Sequence, residues 1–412
     1  MGKVVWYISK YANIQQFGAE TRQASFCKEF SENGYDVRLV LSNSSHLFPK
    51  LPEIKGRYLC QKNDGYDVTW VNTLKYKNAT SILRLISWLW FEFFVILLPF
   101  IKGYKKPDVV IASSLSIMSV ISGSFFKLFF KSKFIFEVRD IWPQSLVDLK
   151  GLSKKHPLIM LLGWLEKIGY KYADEIVGTM PGLKKHVESV IGSCNKVHFI
   201  PQGVSLDFYQ DKQEEVSRKY IADYFPENKF IVTYAGTLGV ANALSYIVEA
   251  AKVLSEENTN IHFVFIGDGR EEDNLKLQAD GVSNLTFAPR VKKEQVQSIL
   301  SASNLLVASV NNEKVYQSGI SLNKFIDYMF AKKPIVCMFS GYPSMINEAN
   351  CGEFTPSEDP VLFANCLLRY EAMSKDELSK LGQNGYDFLV QKRNFDVLSQ
   401  QYMGLFDDKT IL

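Results

Sequence analysis

Residues 229–254, KFIVTYAGTLGVANALSYIVEAAKVL, decide the fold. An apolar run rich in β-branched and aromatic residues reads as a strand. Gly236, Thr237 and Gly239 follow as a turn, and an amphipathic stretch then reads as a helix. Outward from this unit the rhythm repeats. IHFVFIGDG, LTFAP, LLVASV and PIVCMF follow it, and KVVWYIS, DVRLVLS, DVVIASS, KFIFEVR and EIVGTM precede it, each joined to the next by a helical or loop segment. Near-continuous apolar strands alternating with helices imply parallel sheets covered on both faces. Two such series predict two doubly wound Rossmann-like α/β domains facing a central cleft, with ligands at the carboxyl ends of the strands.

The chain has 412 residues, 47% apolar and 22% charged, enough for two buried cores and too apolar for disorder. Its net charge of +3 gives no global basic field, which argues against nucleic acid as a partner. Six cysteines without a CxxC pair, and no secretory signal before the first strand, lead to the expectation of a reducing cytosol. Of the five histidines only His198 has a potential ligand at metal spacing, Cys194, so no metal site is expected. Pro201 and Gly203 precede a charged stretch, which places the hinge within 201–212. The expected boundaries are 1–205, 206–390 and a C-terminal segment 391–412 packing back toward the first domain. A helical and polar pattern, with no strand after it, is expected from about Asp376 to Phe406.

Five stretches carry candidate chemistry. Gly18 lies in the loop after the first strand, with a helix expected near Ala19 and with Glu20 and Arg22 in its first turns; these two are candidate acceptor contacts. A single glycine there also reads as a plain turn. RDIWPQS, residues 139–145, places Arg139, Asp140 and Trp142 at the end of a strand. Asp140 can orient or deprotonate an acceptor hydroxyl with Arg139 beside it, or the two form a structural pair. Gly236, Thr237 and Gly239, then Gly267, Asp268 and Arg270, are two successive strand–glycine–helix turns suited to a diphosphate. The absence of GxGxxG argues against a nicotinamide dehydrogenase. In YQSGISLNKFIDYM, residues 316–329, a helix beginning near Asn323 puts Lys324 and Asp327 on one face, after a loop with Gly319, Ile320 and Ser321. Lysine suits phosphate and the carboxylate suits ribose hydroxyls; a solvated surface pair is the plainer alternative.

At these positions the sequence resembles the retaining GT-B glycosyltransferases of family 4 over essentially its whole length. RDIWPQS and YQSGISLNKFIDYM resemble the branch of bacterial N-acetyl-L-fucosamine transferases of O-antigen and capsule assembly. The family pattern has two glutamates separated by seven residues, where this chain has Gly319 and Asp327. Many members carry Arg and Lys where Thr237 and Asn242 stand here, so Lys324 and Arg270 are the candidates to meet the phosphate charge. The resemblance implies a metal-independent enzyme with no cofactor, moving a sugar from a UDP-sugar to a polyprenyl-diphosphate-linked saccharide with retention. Without an evident protein nucleophile, same-face substitution is the favoured route. A UDP-sugar 2-epimerase of the same fold and a non-catalytic membrane-bound partner of a transferase are the rival readings.

LRLISWLWFEFFVILLPFIKGYKK, residues 83–106, is short of a full span because Glu92 and Pro99 interrupt it. Flanking Arg84, Lys102, Lys105 and Lys106, with Lys127, Lys131 and Lys133 in FFKLFFKSKF, favour an interfacial helix on anionic lipid. The expectation is a cytoplasmic protein held peripherally on the inner membrane face through residues 84–106 and 125–133. A core helix of the first sheet is the alternative.

Overall fold

The computed structural model describes residues 2–18, 20–48, 50–76, 81–206, 209, 213–257, 259–320 and 322–407. Two compact units emerge, residues 1–203 with 395–412, and residues 204–394.

Among the described residues the first unit holds an eight-stranded sheet. Its strands are β1 Val4–Ile8, β2 Asp36–Ser42, β3 Tyr58–Asn63, β4 Tyr66–Val71, β5 Val109–Ser113, β6 Lys133–Val138, β7 Glu175–Gly178 and β8 Val197–Phe199. The order is β3-β4-β2-β1-β5-β6-β7-β8, parallel except for the β3–β4 hairpin. That hairpin turns on Asp64 and Gly65, both at positive φ, the Asp-Gly pair of a tight primed turn. Sequence reading passed over it because β3 is short of apolar residues. All five residues of β5 are buried, as a central strand covered on both faces requires.

The second unit holds six parallel strands among the described residues: β9 Phe230–Ala235, β10 Ile261–Ile266, β11 Leu285–Ala288, β12 Leu305–Ser309, β13 Ile335–Met338 and β14 Gly352–Thr355. Their order is β11-β10-β9-β12-β13-β14. In both sheets the chain winds outward from a central pair, β1 and β5 in one, β9 and β12 in the other. At those pairs the connections leave in opposite directions and open a crevice at the strand ends.

The helical pattern over 376–406 resolves into two helices, Lys375–Lys392 and Phe395–Met403, broken at Arg393 and Asn394. The first belongs to the second unit. The short one belongs to the first, where Phe395 meets Phe26 edge-on at 5.1 Å and Tyr402 is buried. The unit boundaries accordingly fall after Gly203 and after Asn394, and of the expected hinge, residues 207–208 and 210–212 lie outside the described residues. The helix expected near Ala19, itself outside the described residues, begins at Arg22.

Candidate functional site

The carboxyl ends of β9 and β12 mark the switch point of the second unit. β9 delivers Gly236, Thr237 and Gly239 into a turn, then a 3-10 segment Val240–Asn242 and the helix Leu244–Glu256. An extra turn therefore separates the glycines from the α-helix. β10 delivers Gly267, Asp268 and Gly269 beside them. The two turns interlock through backbone: Gly236 N–H donates to Ile266 O at 2.9 Å, Leu238 N–H to Asp268 O at 2.8 Å and Glu271 N–H to Leu238 O at 3.0 Å. A Cβ on Gly267 would stand 1.9 Å from Gly236 O, and one on Gly269 2.0 Å from Leu238 O. These two glycines are required by the neighbouring turn, a packing reason that sequence reading had assigned to a ligand.

Lys324 reaches this turn from the helix Asn323–Phe330. That helix is anchored by Tyr328, whose hydroxyl accepts from Ala235 N–H at 3.0 Å at the end of β9. The Lys324 ammonium donates to the Tyr234 hydroxyl at 3.0 Å and to Asn242 Oδ1 at 2.9 Å, and lies 4.3 Å from the Tyr234 ring centre. It also stands 3.6 Å from where a Cβ of Gly236 would be. No carboxylate pairs with it among the described residues, and desolvation pulls its pKa from 10.5 to about 8. A partly buried ammonium held only by neutral oxygens is a site prepared for an anion. Tyr234 carried no signal in the sequence, because it reads as one more apolar strand residue.

Asp327 shares that helix but not that destination. Its Oδ1 accepts from the Tyr209 hydroxyl at 2.6 Å and from Lys293 Nζ at 2.5 Å. The common face inferred from spacing thus separates into two sets of partners. Asp268 pairs at the surface with Arg290 at 3.4 Å, and Arg270 is exposed. Gly319 has φ +102° and closes a 3-10 turn by donating to Tyr316 O at 2.9 Å. Asn323 is exposed, whereas the Ile320 side chain is buried in the core, leaving only its backbone for a ligand. Ser321 lies outside the described residues.

Residues 229–372 match the family model described as glycosyl transferases group 1. The matched segment, about a third of the chain, lies within the second unit and is similar to glycosyl transferases group 1. The chain is 21% identical over 298 residues to a probable glycosyltransferase, WbjE, of Pseudomonas aeruginosa, covering 71% of this chain and 72% of that one. It is 22% identical to the alpha-D-kanosaminyltransferase of Streptomyces kanamyceticus over 49% of this chain and 52% of that protein. Among solved structures it resembles the sucrose-phosphate synthase of Thermosynechococcus elongatus with TM-score 0.71, at 15% identity and 98% coverage of both chains. The Anabaena protein HepE, solved with UDP, gives TM-score 0.65 at 12% identity, again over 98% of both chains. The fold is therefore GT-B.

The first unit treats its sequence candidates differently. Gly18 has φ +89° at the end of the 3-10 turn Gln15–Phe17, with nothing near the place of its missing Cβ. Glu20 is exposed and accepts from Ser25 Oγ at 3.2 Å. Arg22 is a correction: its side chain is fully buried, paired with Glu137 at 2.8 Å and donating to the carbonyls of Ile200 and Pro201. A guanidinium buried against these acceptors is not open to an acceptor sugar. Arg139 is half-buried and its N–H donates to Ser114 Oγ at 3.0 Å. Asp140 emerges at the surface, yet crowding by protein raises its carboxyl pKa, with Arg139 and Arg84 opposing. Trp142 packs edge-on against Trp88 at 5.7 Å, with the Arg84 guanidinium 6.0 Å from its ring centre.

The apolar stretch divides by face. Trp88, Phe91 and Phe94 are buried, while Leu83, Ile86, Trp90 and Phe93 of the same helix are exposed. By length and composition Leu83–Phe100 could cross a membrane, with 44% of it buried inside the fold. Phe129 is exposed on the helix Ser119–Phe130, and so are Met160, Leu161 and Trp164 on the helix Pro157–Tyr172. This last group was not singled out from the sequence.

Proposed function

We propose that the chain is a retaining, metal-independent transferase that moves a sugar from a UDP-sugar to a polyprenyl-diphosphate-linked saccharide in surface polysaccharide assembly. N-acetyl-L-fucosamine or another N-acetylated amino sugar is the proposed donor sugar. One observation carries the reading: an ammonium without a carboxylate partner among the described residues, Lys324, sits over the glycine turn at the switch point of the second unit, within the segment that matches group 1. A nucleoside diphosphate supplies the anion that this lysine lacks, and charge-assisted bonds to phosphate oxygens stabilise the departing diphosphate without a cation. The UDP held by the HepE neighbour and the amino sugar in the kanosaminyltransferase's name support the donor class. No cofactor takes part.

In this reading the first unit presents the acceptor, with Asp140 oriented toward its hydroxyl and Arg139 beside it. Exposed aromatic and aliphatic side chains flanked by lysines support a peripheral place on the inner membrane face.

Thermal stabilisation by UDP, GDP, ADP, TDP and CMP, with and without magnesium, tests the reading. UDP alone is expected to raise Tm, independently of magnesium and by about 2.7 kcal/mol of stability at a hundred times its Kd. Absence of a shift with every nucleotide would remove the donor site.

A further inference from the structure

The first unit has a switch point of its own, between β1 and β5, and a lysine stands there too. Lys10 follows β1 directly and is only 2% exposed. Its ammonium donates to Ser44 O at 3.0 Å and Ser42 Oγ at 3.3 Å, both neutral oxygens at the end of β2. Lys75 donates to the adjacent carbonyl, Asn43 O. Arg84 donates to the Tyr11 hydroxyl at 3.0 Å, and the Tyr11 ring centre lies 5.2 Å from the Lys10 ammonium.

Three cations thus converge, and both Arg84 and Lys75 act repulsively on Lys10. The acid acting on Lys10 is Glu92, itself buried and pushed up to about 8 by desolvation. Glu53 acts on Lys75, and Asp140 on Arg84. A buried ammonium facing two further cations is unfavourable unless an anion joins it. A second observation concerns the ends of the same central strands. The hydroxyls of Ser9, after β1, and Ser116, just beyond β5, are buried without a hydrogen-bond partner among the described residues. Buried hydroxyls are normally satisfied, and phosphoryl oxygens would satisfy them. The neighbourhood is also apolar on its outer side, because Arg84 shares the first turns of its helix with exposed Leu83 and Ile86.

We propose that Lys10, Lys75 and Arg84 form a phosphoryl-binding subsite at the switch point of the first unit, and that it takes the diphosphate of a prenyl-linked acceptor. The proposal rests on the acceptor reading above and assigns that acceptor a place on named residues. The lipid chain would leave along the apolar face of the helix Ile82–Leu97, and the saccharide would extend toward Trp142 and Asp140.

The test uses the full chain, with farnesyl diphosphate, inorganic diphosphate and farnesol as probes, and tryptophan emission as the signal because Trp88 and Trp142 adjoin Arg84. Farnesyl diphosphate is expected to bind at least tenfold more tightly than either other probe. Lys10→Met and Arg84→Gln should each weaken it tenfold or more while leaving the UDP-induced Tm shift intact. Lys10→Met replaces a buried cation with an apolar chain of similar length, so an unchanged or raised Tm shows that it folds. Unaltered farnesyl diphosphate binding in both variants overturns the subsite. Equal binding of farnesol, or of inorganic diphosphate, overturns the assignment to a prenyl-linked diphosphate. A chain that responds to UDP but binds no farnesyl diphosphate loses this inference and keeps the donor reading; the opposite pattern does the reverse.

Discussion

Each of the two sheets parts at a central strand pair, and each places one poorly compensated lysine at that point. In the second unit Lys324 arrives from a helix and lies over a glycine turn, held by a phenol and an amide. In the first unit Lys10 comes directly off β1 and is sunk among serines, tyrosines and other cations. Burial lowers both, to about 8 for Lys324 and about 7 for Lys10. The difference teaches what each site is shaped to admit. Backbone stripped of side chains beside Lys324 suits a compact diphosphate with a nucleoside. An apolar helix face beside the Lys10 cluster suits a phosphate carried by a lipid.

The largest expected effect tests whether the loop after β1 is structural where the loop after β9 is functional. Arg22→Ala leaves the buried Glu137 without its cation, with only the Tyr7 hydroxyl beside it, which should cost about 3–5 kcal/mol by urea denaturation. A loss below 1 kcal/mol would return Arg22 to the acceptor candidates. Lys324→Ala should weaken UDP by about 30- to 100-fold in calorimetry, the value of a charge-assisted contact at a partly buried site. If its affinity equals that of the wild type, Lys324 is not the phosphate ligand and the parallel with Lys10 fails.

Gly269→Ala should open the interlocked turns and destabilise the second unit by about 2 kcal/mol, because the added Cβ meets Leu238 O. A neutral result in chemical denaturation would show that the turns separate freely.

The pH dependence sharpens the pair further. The free Lys324 ammonium deprotonates near 8, and a bound diphosphate raises that value, so UDP binding takes up a proton above pH 8. Affinity should be level below pH 8 and fall toward tenfold per unit above it, read by titration in buffers of different ionisation enthalpy. The stability of the free protein responds in the opposite sense. The unfolded lysine holds its proton up to 10.5 while the folded one releases it near 8, so the contribution to stability rises with pH across that window. For Lys10 the rise begins near 7. Denaturation midpoints in Lys10→Met that still rise from pH 7 to 8 would assign that part of the effect elsewhere. The smallest effect is expected from Asp327→Asn. Its carboxylate already has Tyr209 and Lys293, so a change in UDP affinity above threefold would indicate that ribose displaces them.

Fold class was legible because alternating apolar strands and helices need only local order in the chain. The GDG turn and the strand leading to Gly236 were found on that basis. The β3–β4 hairpin was announced by Asp64-Gly65 but masked by a polar strand. Arg22 was misread because nothing near it in sequence reveals Glu137, 115 residues away. Lys324 was legible as a phosphate candidate, whereas its partners were not, since Asn242 lies 82 residues earlier. Asn242 accepts from the ammonium of Lys324 across that separation.

By itself the sequence determined the two α/β units, the glycine turns and the helix that begins at Asn323, because periodicity and turn chemistry act over a few residues. Only the tertiary structure decided which charges are neutralised and which are left waiting. Arg22 found Glu137 and Asp327 found Lys293, while Lys10 and Lys324 were desolvated beside neutral oxygens. Burial and long-range pairing set the energy of a charge, and both arise only when distant strands and helices come together.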